Sequence, residues 1–316
     1  MSDVLFCTET FWEAWGDQVR AIAPDIETVL LVGEEPVADT DLERITIAFF
    51  SHDAWPERAG NFFGVALRAN NLAWLHSMSA GVDSPIFQML KDLGVRLTNS
   101  SGSSSAPIAR TVMMYLLALA RDLPRMMRAQ ANAEWAWDRW SELEGKRVAV
   151  IGYGPIGEEV VRLTTAFGMQ PVIIRRQVQG DETCPVRPLV ELAAVMAEVD
   201  AVVLALPLND DTRGIISADV IAAMQTHAFF INVGRGELVD QPALTEALAS
   251  GKLGGAGLDV TDPEPLPADD PLWALPNVII TPHNSGSTDG TARRASERFL
   301  ANLTPWVASG ELLSEV

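Results

Sequence analysis

Cysteine is nearly absent: Cys7 and Cys184 are the only two in 316 residues. Two thiols cannot build a disulfide framework, and such sparing use suits a reducing, cytoplasmic setting. Cys7 falls in an apolar run and Cys184 in a loop, so both read as inert. Histidine is also scarce, at His52, His76, His227 and His283, and no Cys/His cluster has metal-binding spacing. Basic residues are few, 23 against 42 acidic ones, for a formal net charge of −19. Nucleic acid and anionic membranes are therefore poor general partners. Any anionic ligand would need a local positive pocket inside a negative field. No apolar run reaches the roughly 20 residues that span a bilayer. The opening MSDVLFCTET carries an acid at Asp3 where a secretory signal has bases, and it reads as a first strand. There is no internal repeat.

What is present is ordinary globular material, 48% hydrophobic and 21% charged. The length favours two domains, since single cores rarely grow past about 250–300 residues. Short apolar runs alternate with helical patterns. Val4–Cys7, Val29–Val32, Ile45–Phe50, Leu72–His76 and Val95–Thr98 read as buried strands. The serine-rich stretch Ser100–Ser105 marks a boundary, followed by a long apolar helix over Ala106–Met127. Next comes ANAEWAWDRW, whose Trp135, Trp137 and Trp140 suit a subunit interface, a neighbouring active site or core packing. A second series of strands opens at Lys146–Ile151. It continues through Pro171–Arg175, Ala201–Leu206, Ala228–Val233, Gly255–Val260 and Val278–Thr281, before a closing helix near Thr288–Ala308. This alternation predicts an α/β fold of parallel sheets covered on both faces.

The segment Val148-Ala-Val-Ile-Gly152-Tyr-Gly154-Pro-Ile-Gly157 carries the first strong signal. It follows an apolar strand and opens a helical pattern over Glu158–Phe167, the context a dinucleotide loop needs. Gly152 permits the tight turn, Gly154 lets the backbone approach a pyrophosphate, and Gly157 lets the helix pack on the strand. The pyrophosphate would lie on the helix N-terminus. NAD-specific loops place an acid about 20 residues beyond the glycines to hold the ribose hydroxyls. Here the strand ends in Arg175-Arg176, and no acid follows until Asp181. Guanidinium groups suit a 2′-phosphate, so NADP(H) is the preferred cofactor, with NAD(H) still possible. The plainer alternative is two solvent-facing arginines.

Three later segments belong together: Phe230–Asp240 with Arg235, Gly255–Pro267 with Glu264, and Ile280–Gly286 with His283. Each follows a strand, and open parallel sheets bind ligands at strand C-terminal ends. Singly, Arg235 could cap a turn, Glu264 could be a solvated loop acid and His283 a core histidine. Their combination resembles the D-isomer-specific 2-hydroxyacid dehydrogenase family, most densely over Leu143–Gly286. The cationic strand end looks most like its NADPH-dependent glyoxylate/hydroxypyruvate reductases.

The resemblance implies two Rossmann-like, doubly wound parallel-sheet domains with the active site in the cleft between them. A substrate domain would cover 1–102 and be completed by 285–316, and the dinucleotide-binding domain would cover 103–284. It implies a homodimer joined through the cofactor domains, acting on a small anionic 2-oxo or 2-hydroxy acid. Arg235 would hold the substrate carboxylate and polarise the keto oxygen. His283 would be the general acid in reduction and the base in oxidation, oriented by Glu264. Ser79, Ala80 and Gly81 would form the substrate loop, binding the carboxylate through backbone N–H groups. Besides the glycines and arginines, the cofactor set would include Pro155, Ile156, Leu206, Pro207, Thr212, Val233, Gly234, Arg235, Asp259, His283, Ser285 and Gly286. His227 reads as structural, while His52 and His76 follow first-domain strands and would border the cleft. One departure is Arg110, which stands where the family usually carries an acid at the domain junction. A different class also fits the cofactor loop: a non-catalytic, dinucleotide-sensing corepressor, though this chain lacks the long disordered tails such a role favours. Within enzymes, an NAD-dependent dehydrogenase of another 2-hydroxy acid is the alternative. Formate dehydrogenases resemble the family too but carry Gln at the position of Glu264.

Overall fold

The computed structural model describes residues 3–33, 35–180 and 182–316; Asp181, the first acid after the arginine pair, lies outside them. The chain divides into two compact units, Met1–Ser104 with Thr288–Val316, and Ser105–Ser287. The breaks therefore fall after 104 and 287 rather than after 102 and 284, which leaves Ser285 and Gly286 in the second unit.

In the first unit, β1 (Val4–Thr8), β2 (Glu27–Leu31), β3 (Ile47–Phe50), β4 (Trp74–Ser77) and β5 (Arg96–Asn99) form a parallel sheet in the order β2-β1-β3-β4-β5. The helices between them are α1 (Glu9–Ile22), α2 (Asp39–Leu42), α3 (Ala59–Arg68) and α4 (Pro85–Asp92). β1 and β3 are buried at every position because both faces are covered, and so they read as continuous apolar runs rather than alternating ones. α1 starts where the Thr8 hydroxyl accepts the Phe11 N–H at 3.1 Å.

The second unit opens with α5 (Ser105–Ala120) and α6 (Leu123–Ala131). The single long helix expected over Ala106–Met127 is thus two. Asp122 turns left-handed at φ 48°, and Pro124 sits in the first turn of α6. A proline at 124 would remove a hydrogen bond and clash inside a continuous helix, whereas a first turn tolerates it.

The sheet of this unit contains β6 (Arg147–Ile151), β7 (Gln170–Arg175), β8 (Val186–Pro188), β9 (Ala201–Leu204), β10 (Phe229–Asn232), β11 (Gly255–Leu258) and β12 (Val278–Ile280). All pairings are parallel, in the order β12-β11-β10-β9-β6-β7-β8. β8 escaped the sequence reading because it has three residues, one of them proline, a composition found at sheet edges. The covering helices are α7 (Pro155–Ala166), α8 (Leu192–Met196), α9 (Ala218–Ala223) and α10 (Gln241–Ala249). α7 begins at Pro155, three positions before the helical pattern becomes legible. Trp135, Trp137 and Trp140 are 97%, 77% and 51% exposed, which excludes core packing for them.

The closing helix, α11 (Asp289–Ser309), belongs to the first unit. Its Phe299 and Leu303 are fully buried among Leu5, Phe11, Ile47, Phe49 and Trp74. Phe299 stacks on Phe49 with ring centroids 4.6 Å apart and on Trp74 at 5.4 Å. Phe299→Ala should therefore destabilise this unit by about 3–5 kcal/mol. Urea unfolding would show it as a lower midpoint; an unmoved midpoint would mean that α11 contributes nothing to this core.

Candidate active site

Because every strand of the second sheet runs the same way, the loops after β6, β7, β9, β10, β11 and β12 emerge at one edge. The strand order reverses at β6, which lies between β9 and β7. Such a switch point is where open α/β sheets bind ligands. The glycine loop follows β6 there. Gly152 has φ 101°, and a Cβ on it would lie 2.6 Å from the Ala205 carbonyl. A Cβ on Gly157 would lie 2.1 Å from the Gly152 carbonyl, so helix and turn close on each other only without side chains. Gly154 differs: nothing lies within 4 Å of where its Cβ would be. It is the N-cap of α7 and makes no side-chain cap, and Pro155 follows it. The first amides of that helix have no partner within the helix. This open cradle fits a dinucleotide pyrophosphate, which the backbone of Gly154–Gly157 would hold.

At the end of β7 the two arginines separate. The Arg175 guanidinium donates to Glu182 Oε1 at 2.9 Å and lies over the Tyr153 ring at 5.6 Å. The backbone N–H groups of Gln179 and Gly180, at 2.9 and 2.8 Å, and Arg175 hold the Glu182 carboxyl down at about 2. Glu182 is thus an ionised acid that closes its own loop, a role not visible from its place in the sequence. Arg176 is 63% exposed and meets Asp211 at 3.3 Å, itself 73% exposed.

Leu206 and Pro207 follow β9, and a Cβ on Gly234 would lie 2.9 Å from the Leu206 carbonyl, so the loops after β9 and β10 touch. Thr212 is buried, and its hydroxyl bonds inside this loop, donating to the Pro207 carbonyl at 2.8 Å. After β10, buried Val233 and Gly234 lead to Arg235. Asn232, which the sequence reading passed over, shapes that turn. Its Nδ2 donates to the Arg235 carbonyl at 2.9 Å, and its Oδ1 accepts the Gly234 N–H at 3.0 Å. A polar residue ending the run Phe-Phe-Ile-Asn was the available signal.

The loops after β11 and β12 are joined by Asp259, which is 2% exposed. Its carboxylate accepts the N–H groups of Asn284 and Ser285 at 3.0 and 3.1 Å, and also the Ser285 and Thr281 hydroxyls. Its backbone carbonyl accepts the His283 N–H at 2.8 Å. The Tyr115 hydroxyl of α5 hydrogen-bonds the Thr281 hydroxyl. Held this way, His283 has φ 51°, an uncommon conformation for a non-glycine residue.

His283 Nδ1 lies 2.8 Å from Glu264 Oε2. Glu264 Oε1 accepts the Thr261 N–H at 3.1 Å. Burial would raise the Glu264 pKa, but the hydrogen bond from His283, its charge, the Thr261 N–H and Arg235 together lower it. An ionised carboxylate only accepts, so Nδ1 carries a proton and Nε2 is the nitrogen left to exchange one. The hydrogen bond to Glu264 raises the His283 pKa; burial and Arg235 oppose this, while the charges of Glu264 and Asp259 support it. Arg235 thus bears electrostatically on both members of the pair.

In the first unit, the Ser77–Gly81 turn presents its amides in a defined way. The carbonyl of Ser77 accepts the Ser100 hydroxyl, that of Ser79 the Ser100 N–H, that of Ala80 the Asn99 side chain and that of Gly81 the Ser79 hydroxyl. Among the described residues, the N–H groups of Ala80 and Gly81 donate to no protein acceptor. One histidine expectation changes. His76 lies inside β4 and is 0% exposed, so it borders no cleft. His52 opens a short turn after β3, where its buried Nδ1 has no partner.

One measurement follows from the His283–Glu264 geometry. By NMR, the His283 imidazole should titrate above the ordinary value of about 6.5. In Glu264→Gln it should titrate lower than in the wild type. Equal titration in the two proteins would show that the pair does not form.

Residues 113–285 match the D-isomer specific 2-hydroxyacid dehydrogenase, NAD binding domain family. A glyoxylate reductase/hydroxypyruvate reductase of Mus musculus is 31% identical over 314 residues, covering 96% of this chain and 94% of that one. A D-3-phosphoglycerate dehydrogenase of Methanocaldococcus jannaschii is 35% identical over 255 residues, 79% of this chain; the match spans only 48% of that relative. A D-isomer specific 2-hydroxyacid dehydrogenase from Xanthobacter autotrophicus Py2, solved in complex with NADPH and MES, superposes with a TM-score of 0.81 at 30% identity, covering 100% of this chain and 98% of that one. The family match over the second sheet and its edge loops, with relatives aligned along nearly the whole chain, makes this protein a member of the D-isomer specific 2-hydroxyacid dehydrogenase family of enzymes.

Proposed function

We propose that this chain is a D-specific, NADP(H)-dependent reductase of a small 2-oxo acid of the glyoxylate or hydroxypyruvate type. The observation that carries the reading is the His283–Glu264 pair at 2.8 Å, under the influence of Arg235, on the sheet edge that holds the glycine loop. A bound nicotinamide would supply or accept the hydride, leaving position, charge and the proton to the protein. Arg235 holds the carboxylate and polarises the keto oxygen, for which its planar, permanent charge is suited. His283 Nε2 gives a proton to that oxygen in reduction and takes it back in oxidation. Glu264 keeps the ring oriented and favours its charged form. Asp259 acts on the ring through the backbone. The free amides of Ala80 and Gly81 bind the substrate carboxylate. The name of the mouse relative supports the substrate class, and the NADPH in the Xanthobacter structure supports the cofactor.

For the 2′-phosphate we assign Arg176 rather than Arg175. Arg175 is paired with Glu182, whose side chain is 3% exposed, whereas the pairing of Arg176 with exposed Asp211 is a surface contact of small energy. The exposed Trp135 and Trp137 would be covered by a second copy in a homodimer joined through the cofactor-binding units.

The deciding experiment is a panel of 2-oxo acids assayed separately with NADPH and NADH. Glyoxylate or hydroxypyruvate should be reduced, and NADPH should be preferred. A charged hydrogen bond is worth roughly 1.5–3 kcal/mol, so Arg176→Ala should lower efficiency with NADPH by about ten- to a hundredfold. Efficiency with NADH should be little affected, and Arg175→Ala should change the ratio less. A wild type that favours NADH, or a ratio unmoved in Arg176→Ala, would reject the cofactor assignment.

The acid–base role has its own test. His283→Gln should lower turnover by about 10²–10⁴-fold while cofactor binding, read by fluorescence titration, survives. Reduction needs protonated His283, so its rate should fall as pH rises through the elevated pKa of that group. In Glu264→Gln the falling limb should move to lower pH. Turnover like that of the wild type in His283→Gln would remove the residue from the mechanism.

A further inference from the structure

A buried polar chain in the first unit lies beneath the Ser77–Gly81 turn and has no part in the roles above. His76 of β4 is the register partner of Thr98 on β5. Its Nδ1 is 2.7 Å from Thr98 Oγ1 and its Nε2 is 3.0 Å from Ser100 Oγ. Counting protons sets the direction of each bond. Ser100 has one hydroxyl proton and donates it to the Ser77 carbonyl at 2.9 Å. Nε2 must therefore carry a proton and donate to Ser100. In a neutral ring Nδ1 then accepts, and Thr98 is its donor. Thr98 in turn accepts the Trp74 Nε1–H at 2.8 Å. Burial pushes the His76 pKa down to about 3, helped by the positive charge of Arg298, so the ring is neutral as the chain requires.

The run continues into the turn itself. Ser79 donates its hydroxyl proton to the Gly81 carbonyl at 2.8 Å, so the Ser77 hydroxyl must donate to Ser79 Oγ, also at 2.8 Å. The Ser100 N–H holds the Ser79 carbonyl at 3.0 Å. Ser100 thus grips the turn twice, and His76 Nε2–H orients its hydroxyl. Buried chains of this kind are stiff, because each broken link leaves a polar group without water.

We propose that His76 is a positioning residue for substrate: acting through Ser100, it fixes the Ser77–Gly81 turn in the pose that presents the Ala80 and Gly81 amides to the substrate carboxylate. This rests on the reading of that turn given under the proposed function. A group that only shapes a ground-state carboxylate site changes KM and leaves kcat alone. The cofactor loop and the acid–base pair belong to the other unit.

The test is steady-state reduction of glyoxylate by the full chain, with oxamate as an unreactive carboxylate probe and cofactor affinity and Tm measured alongside. The variants are His76→Leu, His76→Gln and Ser100→Ala; the last removes one hydroxyl and carries the test should the leucine variant fail to fold. His76→Leu and Ser100→Ala should raise the glyoxylate KM and the oxamate Ki about tenfold, with kcat within about twofold and cofactor affinity unchanged. His76→Gln, whose amide can still donate to Ser100, should return KM to within about threefold of wild type. An active wild type whose KM is unmoved by His76→Leu and Ser100→Ala overturns the positioning role alone. So does a glutamine variant as impaired as the leucine one, or a loss confined to kcat or cofactor affinity. A wild type that neither reduces a 2-oxo acid nor binds oxamate fails the underlying reading, and this one with it.

Discussion

The buried carboxylate of Asp259 is the contact on which the proposed chemistry depends. It stands at the end of β11 and gathers two backbone amides and two hydroxyls from the segment after β12. A carboxylate that accepts this many donors from one short segment fixes the position of that segment. The segment must then bend sharply at His283, which accounts for its φ of 51°. The bend carries the imidazole to Glu264, whose own position is set by the Thr261 N–H. Asp259 therefore orients the ring without touching it, and Tyr115 of α5 braces the same knot through Thr281, the residue after β12.

Both units treat the edge of a parallel sheet in the same physical way. Strand ends deliver backbone groups that must be satisfied, and the pattern of satisfaction decides which groups remain for a ligand. In the Ser77–Gly81 turn the carbonyls of Ser77, Ser79, Ala80 and Gly81 are bound internally, so a pair of amides is left over. At the start of α7 the helix geometry produces the same surplus of donors, and the empty space beside Gly154 leaves them accessible. Anion-binding character thus arises from backbone arithmetic, with few side chains needed.

Much of this was legible in the sequence for a definite reason. Parallel strands buried on both faces are short apolar runs, and their C-terminal ends are punctuated by residues that chemistry or tight turns demand. Gly152, Arg235 and His283 each stand at such a punctuation mark. What escaped was set by partners distant in sequence. The break at Asp122 depends on Pro124 competing against an otherwise continuous apolar pattern. β8 is too short to have a period. Glu182 reads as a loop acid until its loop folds back on Arg175. His76 looked like a strand-end histidine, and only the register with Thr98 shows that it is an interior link. Trp135 and Trp137 carry no sequence sign of their exposure, because aromatic residues suit cores and interfaces alike.

The charge of −19 poses the remaining question, since the proposed substrate and cofactor are both anions. The long-range field opposes them, but in physiological salt it decays over about 8 Å. Within that distance the pairing of charges decides. Glu264 and protonated His283 cancel as a pair, so the Glu264 carboxylate adds no net negative charge beside Arg235. Glu182 cancels Arg175, so at the end of β7 the excess lies with Arg176, whose partner Asp211 is largely in water. The amides of Ala80, Gly81 and the first turn of α7 add partial positive charge that no change of pH removes. An acidic surface and an anion-seeking interior are therefore compatible, because Glu264, Glu182 and Asp259 are already committed to hydrogen-bond donors of the protein.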